Sequence, residues 1–353
     1  MTAIFLDISK YFDKIWHKGL LFKCKNDFLL TGSLLKWLES YLTDREQRVK
    51  VGDSLSSTQN VNAGCPQGSV LGPLLALMYL DGLNGKVTNE ILLYADDTSL
   101  YASHTTHDIN RVQQSLQRDL DAIDEYARQW AIQFNTSKTV QQTFSHRSQP
   151  AAPTLYLSGK LIPPNTEKHR HLGITFSKDL RFHAHVNNII KKANMALSPL
   201  YPIAKHLHRT TLSHLYSTYV RPHFDYCDIV FDGHITVRDE LRLERTQNRA
   251  ARLVTGTSRR TSATKLRQDL GWDTLKTRRK IHKQLFFHRL VNRLHDQPEY
   301  VRHMLPQIRA HNTRRTLRNA TTLTLPINRT TSFQRSYIPS STRTWNALPE
   351  TIR

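Results

Sequence analysis

Cysteine is almost absent. Cys24, Cys65 and Cys227 are the only three in 353 residues, and they lie far apart. They form no Cys-x-x-Cys pair, so neither a zinc knuckle nor a disulfide framework is indicated, and a reducing, intracellular setting is expected. Long apolar runs are missing as well. No stretch approaches the ~18 uninterrupted apolar residues of a membrane span, so no membrane partner is expected. The opening "MTAIFLDISKYFDK" meets acidic residues at once and lacks the basic start and apolar run of a signal peptide. Acidic residues are scarce in one half of the chain. Residues 1–178 hold 19 Lys/Arg against 17 Asp/Glu, whereas residues 179–353 hold 31 against 12, so +19 of the net +21 lies in the second half. So one-sided a charge points to a polyanion, nucleic acid first, over the alternative of a solvated basic surface.

The apolar content of 39% suffices for a real core, and the length suggests two or three domains. "AIFLDI" (3–8) reads as a buried strand ending in an acid. "LLKWLESYLT" (34–43) has helical spacing, and "QRVKVG" (47–52) alternates like a strand. "GCPQGSVLGPLLALMYLDGL" (64–83) opens with Gly and Pro punctuation and continues as an apolar helix. "ILLYA" and "TSLYA" flank Asp96–Asp97 like hairpin arms. Residues 108–130 place Ile109, Val112, Leu116, Leu120, Ile123 and Tyr126 at helical spacing. "TVQQTFS" and "HLGITFS" read as later strands. Beyond about residue 180 the pattern is helical, over 185–226, 238–254 and 274–297, with breaks near Pro199, Pro202 and Pro222. A tail from about 306 shows little periodicity. No fixed-period repeat is present. The fold class expected is α+β followed by a helical region.

Two adjacent carboxylates between apolar flanks repel each other, and burial makes this worse. Alone, "YADD" (94–97) also reads as a solvated turn, because Asp tolerates turn geometry. Asp7 changes the balance by ending a second apolar strand. If the two strands are neighbours, three carboxylates meet at one sheet edge, where cations are needed to neutralise them. Mg²⁺ suits such a set, being hard and oxygen-seeking. Two such ions can clamp both sides of an in-line phosphoryl displacement. No histidine or cysteine ligand is required.

Five segments, "FLDISKYFDKIWH" (5–17), "GCPQGSVLGPLL" (64–75), "YADD", "FNTSKT" (134–139) and "HLGITF" (171–176), occur in the order of the palm motifs of reverse transcriptases. The chain most resembles the enzymes of non-LTR (LINE-type, jockey-like) retrotransposons. The resemblance covers residues 3–180 strongly. It continues loosely through "RTQNRAARLVTG" (245–256) and "YIPSSTRTWNALP" (337–349). It implies a right-hand polymerase palm, an antiparallel sheet with packed helices, over 1–178. A helical thumb-like region over 179–256 and a basic, mostly helical region over 257–353 would follow.

The activity implied is RNA-directed DNA synthesis, with an RNA template, a DNA primer and deoxynucleoside triphosphates as partners. Two Mg²⁺ ions, with Mn²⁺ as the alternative, are the implied cofactors. By the same resemblance Asp7, Asp96 and Asp97 are the metal carboxylates, and Ile8 lends a backbone carbonyl. Phe12 would lie beneath the incoming sugar, or else be plain core. Gln67 and Gly68 would contact nucleotide and template, Gly68 by allowing close backbone approach. Lys138 would protonate the pyrophosphate leaving group, or else be a surface lysine. "HLGITF" would position the primer end. Lys191, Lys192, Arg249 and Arg252 would touch the duplex backbone, as would Arg278, Arg279 and Lys280 within "KTRRKIHK" (276–283). A solvated helix face is the alternative for each of these. Trp345 is expected to be a packing anchor.

The chain departs from the family pattern in three places. It starts almost on the first motif, with no segment for the fingers before it. Tyr11 stands where the family usually has a small residue, and overpacking a fitted site costs ~1–3 kcal/mol. Cys65 replaces a commoner β-branched residue. The expectation is an N-terminally truncated element copy with impaired activity. A non-catalytic nucleic-acid-binding relic is the second reading, and an unrelated two-metal nuclease or cyclase the third.

Overall fold

The computed structural model describes residues 1–103, 108–147, 151–165, 168–258, 260–294, 299–307, 322–327 and 330–349. The chain divides into two units, Met1–Gly173 and Ile174–Arg353. The division falls a few residues before the boundary expected at 178, and residues 179–256 and 257–353 lie together in the second unit.

The first unit is built on a five-stranded sheet. Thr2–Leu6 is its middle strand, between Val140–Thr143 on one side and Asp97–Ala102 on the other, with Glu90–Tyr94 and the short Pro164–Asn165 at the edges. All pairings are antiparallel except that of Pro164–Asn165 with Val140–Thr143. Side chains alternate between the two faces. Ile4 and Leu100, directly opposite in register, turn to one face and are fully buried. The helix Ile109–Gln129 shares that core through Leu116, Leu120, Ile123 and Tyr126, the spacing of an amphipathic helix. Phe5 turns to the other face, where its ring stacks on His169 at 4.0 Å.

The helices expected over 34–43 and after residue 70 are present as Gly32–Leu42 and Leu71–Leu80. The strand expected over 47–52 is broken into Arg45–Gln47 and Lys50–Val51, each in its own exposed two-stranded ladder. "HLGITF" is likewise not one strand. Lys168–His171 and Ile174–Ser177 are separated by Leu172 and Gly173, both at positive φ.

Apart from the short strand Ile174–Ser177, the second unit is mainly helical in its described parts. His183–Leu197, Val237–Thr255 and Leu275–Val291 are its long helices. The first and second place Val186, Ile189, Leu243 and Ala250 in one core with Tyr216 and Phe231. Thr236 and Thr274 cap the two later helices by accepting from the backbone N–H groups of Asp239 and Thr277, so sequence alone marks these starts. Gly256 ends the middle helix in the left-handed region, φ 65°, as C-terminal glycines commonly do. The tail is more regular than expected, because Thr331–Arg335 and Tyr337–Asn346 are helical. Trp345 is buried there against Phe287, ring centroids 5.9 Å apart, so it is a packing anchor. Residues 295–297 of the helix expected over 274–297 lie outside the described residues. No helix among the described residues is long and apolar enough to cross a membrane.

Candidate active site

Register fixes the acidic site. Leu6 pairs with Thr98, so the chain position after Leu6, Asp7, emerges beside the turn that carries Asp96 and Asp97. Tyr94 pairs with Asp97, leaving Ala95 and Asp96 as a two-residue turn with Ala95 at φ 55°. Such tight turns favour positive φ at their centre, a conformation alanine adopts only under constraint.

Asp7 and Asp96 are half-buried and line one open cavity of about 600 Å³ together with Ile8, Phe12, Gln67 and Lys138. Asp97 is more exposed and stands outside that lining. No hydrogen bond or ion pair among the described residues engages the Asp96 carboxylate. The three carboxylates are not gathered within 4.8 Å of one another, a closeness reached among the described residues by Asp225, Asp228 and His282 alone. A hard cation drawing on both Asp7 and Asp96 fits the donor chemistry, since each offers carboxylate oxygen to the same cavity.

Asp7 is anchored through its backbone. Its carbonyl accepts from the Asn135 N–H at 2.7 Å, and its N–H donates to Thr139 Oγ1 at 3.3 Å. Asn135 in turn receives Ser137 N–H and Oγ–H on its side-chain oxygen, a local turn that a sequence reading "NTS" favours. That turn sets the Lys138 ammonium 3.9 Å from the Asp7 carboxylate. Lys138 is exposed, so this loose pair contributes little to stability. Ile8 is buried and bridges Phe134, holding the backbone after Asp7 extended.

The "GCPQG" loop docks on the helix that follows Asp7. Cys65 N–H donates to the Phe12 carbonyl and Gly64 N–H to the Ile15 carbonyl, both at 2.8 Å. The Gln67 amide donates to the Asp13 carboxylate at 2.6 Å, so its side chain ties the loop down. Gly68 sits at φ 81° with open space around its Cα, as a close-approach role requires. Phe12 is half-buried at the cavity edge and meets Tyr11 edge-on at 5.6 Å, so it is both part-core and part-wall.

Tyr11 is accommodated rather than crowded. It is buried, and its hydroxyl donates to the Ala76 carbonyl on the helix Leu71–Leu80. Burial keeps the phenol neutral by pushing its pKa well above the usual range. Cys65 is a buried thiol whose pKa burial pushes up to about 11, which makes it inert.

Three contributors escaped the sequence reading. Gly64 has φ 91°, and a Cβ there would stand 2.8 Å from the Phe12 and Asp13 carbonyls, so only glycine fits. His17, buried, meets the Gly64 carbonyl at 2.7 Å. Asp119, buried on the long helix, accepts from the backbone and side chains of Thr88 and Asn89 and so clamps the root of the acidic hairpin. The first is legible only as one more Gly in a Gly-Pro loop, and the other two carry no local signal.

The basic candidates separate into two groups. Lys191, Lys192, Arg249 and Lys280 are exposed, with Arg252 half-buried beside Arg249 on the same helix. Arg278 and Arg279 turn inward, contrary to the duplex-contact expectation. Arg278 donates twice to Asp225, at 3.1 and 2.7 Å, and Arg279 is buried 3.6 Å from both Asp232 and Glu240. Lys283 and His282 do the same, reaching Asp232 at 3.0 Å and Asp228 at 2.7 Å. Helical spacing explains the burial of Arg279 and Lys283: residues 275, 279, 283 and 287 share one face, and Leu275 and Phe287 anchor its two ends in separate apolar clusters.

Residues 1–176 match the family model described as reverse transcriptase (RNA-dependent DNA polymerase). The chain is 32% identical over 285 residues to the probable RNA-directed DNA polymerase from transposon X-element of Drosophila melanogaster, covering 76% of this chain and 30% of that protein. It is 35% identical over 196 residues to the RNA-directed DNA polymerase from mobile element jockey of the same species, covering 53% and 21%. It is 29% identical over 301 residues to the probable RNA-directed DNA polymerase from transposon BS, also of D. melanogaster, covering 82% and 33%. The chain thus spans a third or less of the length of these curated relatives. The motifs, the strand register that joins them and these likenesses agree, and the chain belongs to the reverse transcriptase family, in its jockey-like non-LTR retrotransposon branch.

Proposed function

We propose that this chain carries the palm of an RNA-directed DNA polymerase over residues 1–178 and a thumb-like helical region over 179–256, with a basic region from 257 to 353. Its reaction would be RNA-templated addition of deoxynucleotides to a primer 3′-hydroxyl. The observation that carries the proposal is the register that brings Asp7 beside the Asp96–Asp97 turn, with the Asp96 carboxylate unpaired on a cavity.

Asp7, Asp96 and Asp97 would hold two divalent ions, Mg²⁺ or alternatively Mn²⁺. When bound, these lower the pKa of the attacking hydroxyl and stabilise the charge on the leaving pyrophosphate. The remaining residues position the substrates. Phe12 forms the wall under the sugar, where a ring excludes a 2′-hydroxyl and favours deoxynucleotides. Gln67 keeps the Gly68 loop in place over the nucleotide. Lys138, beside Asp7, is placed to donate a proton to the departing pyrophosphate. Lys191, Lys192 and Lys280 remain free for phosphate backbone, whereas Arg278 and Arg279 serve the core.

The test is extension of a DNA primer on an RNA template by the purified chain with Mg²⁺. Extension is expected to vanish in Asp7→Asn and Asp96→Asn while thermal unfolding is unchanged. RNA binding with no extension under any divalent ion would instead support the relic reading, which the basic second half favours. Extension that survives both substitutions would refute the site.

A further inference from the structure

A cavity in the second unit plays no part in the acidic site. It holds about 880 Å³ and opens to solvent at the C-terminal end of the helix Val237–Thr255. Its walls carry four cations, Lys205, Arg209, Arg249 and Arg252, and no carboxylate among the described residues. None of the four forms an ion pair among the described residues. Arg209 donates to the Asp269 backbone carbonyl, Arg249 to the Asn194 side-chain oxygen and Arg252 to the Asn248 carbonyl, all neutral acceptors. The Arg252 Nε is buried and has no hydrogen-bond partner.

This is unlike the other basic segment of the unit. There Arg278, Arg279, Lys283 and His282 are each matched by a carboxylate. Four cations gathered without an acid repel one another, and the helix C-terminus offers only a partial negative charge against them. Such a cluster is stabilised by an anion. The remaining lining combines Leu207, Leu212, Leu253 and Val254 with Thr255 and Thr257, and includes the exposed ring of Tyr201.

We infer that this cavity binds one unpaired nucleotide of a single-stranded nucleic acid. The phosphate would meet the cations, and the base would rest on Tyr201 and the apolar floor. Concavity decides against a duplex. Paired bases are stacked inside the helix and present only phosphates to such a surface, whereas an unpaired base can turn into a pocket and stack on an aromatic ring. The inference does not depend on polymerase chemistry, and its test needs no metal.

The probe is a fluorescein-labelled oligo-uridine of twelve nucleotides, read by anisotropy in EDTA with the full chain. The same strand annealed to its complement is the competitor. The double variant Lys205→Gln/Arg209→Gln is expected to weaken single-strand binding at least tenfold. It should also lower the slope of log K against log salt by about 1.4, roughly 0.7 per lost contact on a single strand. Tyr201→Ala is expected to weaken the single strand about fivefold or more and leave the duplex unchanged. All three side chains are exposed, so circular dichroism should show unaltered folding. Arg238→Gln/Lys265→Gln, which removes two exposed cations outside the cavity lining, is the charge-matched control. The inference fails if the two double variants behave alike, if Tyr201→Ala weakens duplex and single strand alike, or if the duplex competes as well as the single strand. It also fails if micromolar uridine monophosphate displaces the strand, which would assign the cavity to a free nucleotide.

Discussion

The carboxylates of the two units live in opposite circumstances. In the first unit, Asp7 and Asp96 face a cavity, the one loosely paired with Lys138 and the other with no partner among the described residues. In the second, Asp225, Asp228, Asp232 and Asp239 are each bonded or paired to Arg, Lys or His. The same chemical group is a stability element in one place and an uncompensated charge in the other. An unpaired carboxylate facing a cavity is what the proposed cation site requires. The basic residues repeat the contrast in mirror image, with Arg278, Arg279, His282 and Lys283 paired and those around the second-unit cavity without an ion pair among the described residues.

The largest effect should separate activity from stability. Asp96→Asn is expected to reduce primer extension on the order of 10³-fold or more, the size typical of removing one preorganised electrostatic group, with no change in melting temperature. Asp232→Ala should do the reverse. It strips a carboxylate from the buried Arg279 and Lys283 and should cost about 3 kcal/mol in a urea titration. If Asp232→Ala were silent, the paired network would not be structural and the comparison would collapse.

Asp119→Ala tests a residue between these extremes. It removes the acceptor for Thr88 and Asn89, and a loss of about 2 kcal/mol is expected, with extension falling because the hairpin root loosens. Burial alone would raise the Asp119 pKa, but the donors from Thr88 and Asn89 outweigh it and hold the carboxyl below its ordinary value. Its contribution is therefore complete above pH ~4 and disappears as the pH falls through its lowered folded value.

His169 supplies a milder pH dependence. Burial first, and His171 second, lower its pKa to about 4. The unfolded imidazole takes up a proton below about 6.5 while the folded one does not, so stability is full above that pH and declines toward 4. A loss on the order of 1 kcal/mol is expected between pH 6.5 and 4.5, and His169→Phe should flatten that part of the curve. The smallest effect belongs to Lys280→Gln, which should shift stability by under ~0.5 kcal/mol because its side chain is exposed and unpaired.

Much of the first unit was legible because its signals are local. The strand over 3–8, the hairpin around Asp96 and the helix over 108–130 each announce themselves through periodicity and turn residues within a dozen positions. "KTRRKIHK" misled because charge density alone does not show which way a helix face turns. That depended on Leu275 and Phe287, at the ends of the same face, and on acids 39 to 54 residues earlier in the chain. "HLGITF" reads as one strand because its apolar alternation hides the left-handed Leu172–Gly173 break.

The sequence by itself determined the elements, the order of the motifs and the uneven charge, since these follow from composition and short-range spacing. Tertiary structure alone decided which charges are matched. Asp7 and Asp96 are 89 positions apart and share a cavity only because two strands pair in one register. Lys205 and Arg252 share another only because one helix ends beside an earlier turn. Electrostatic energy depends on separation in space and on burial, and neither is a property of position along a chain.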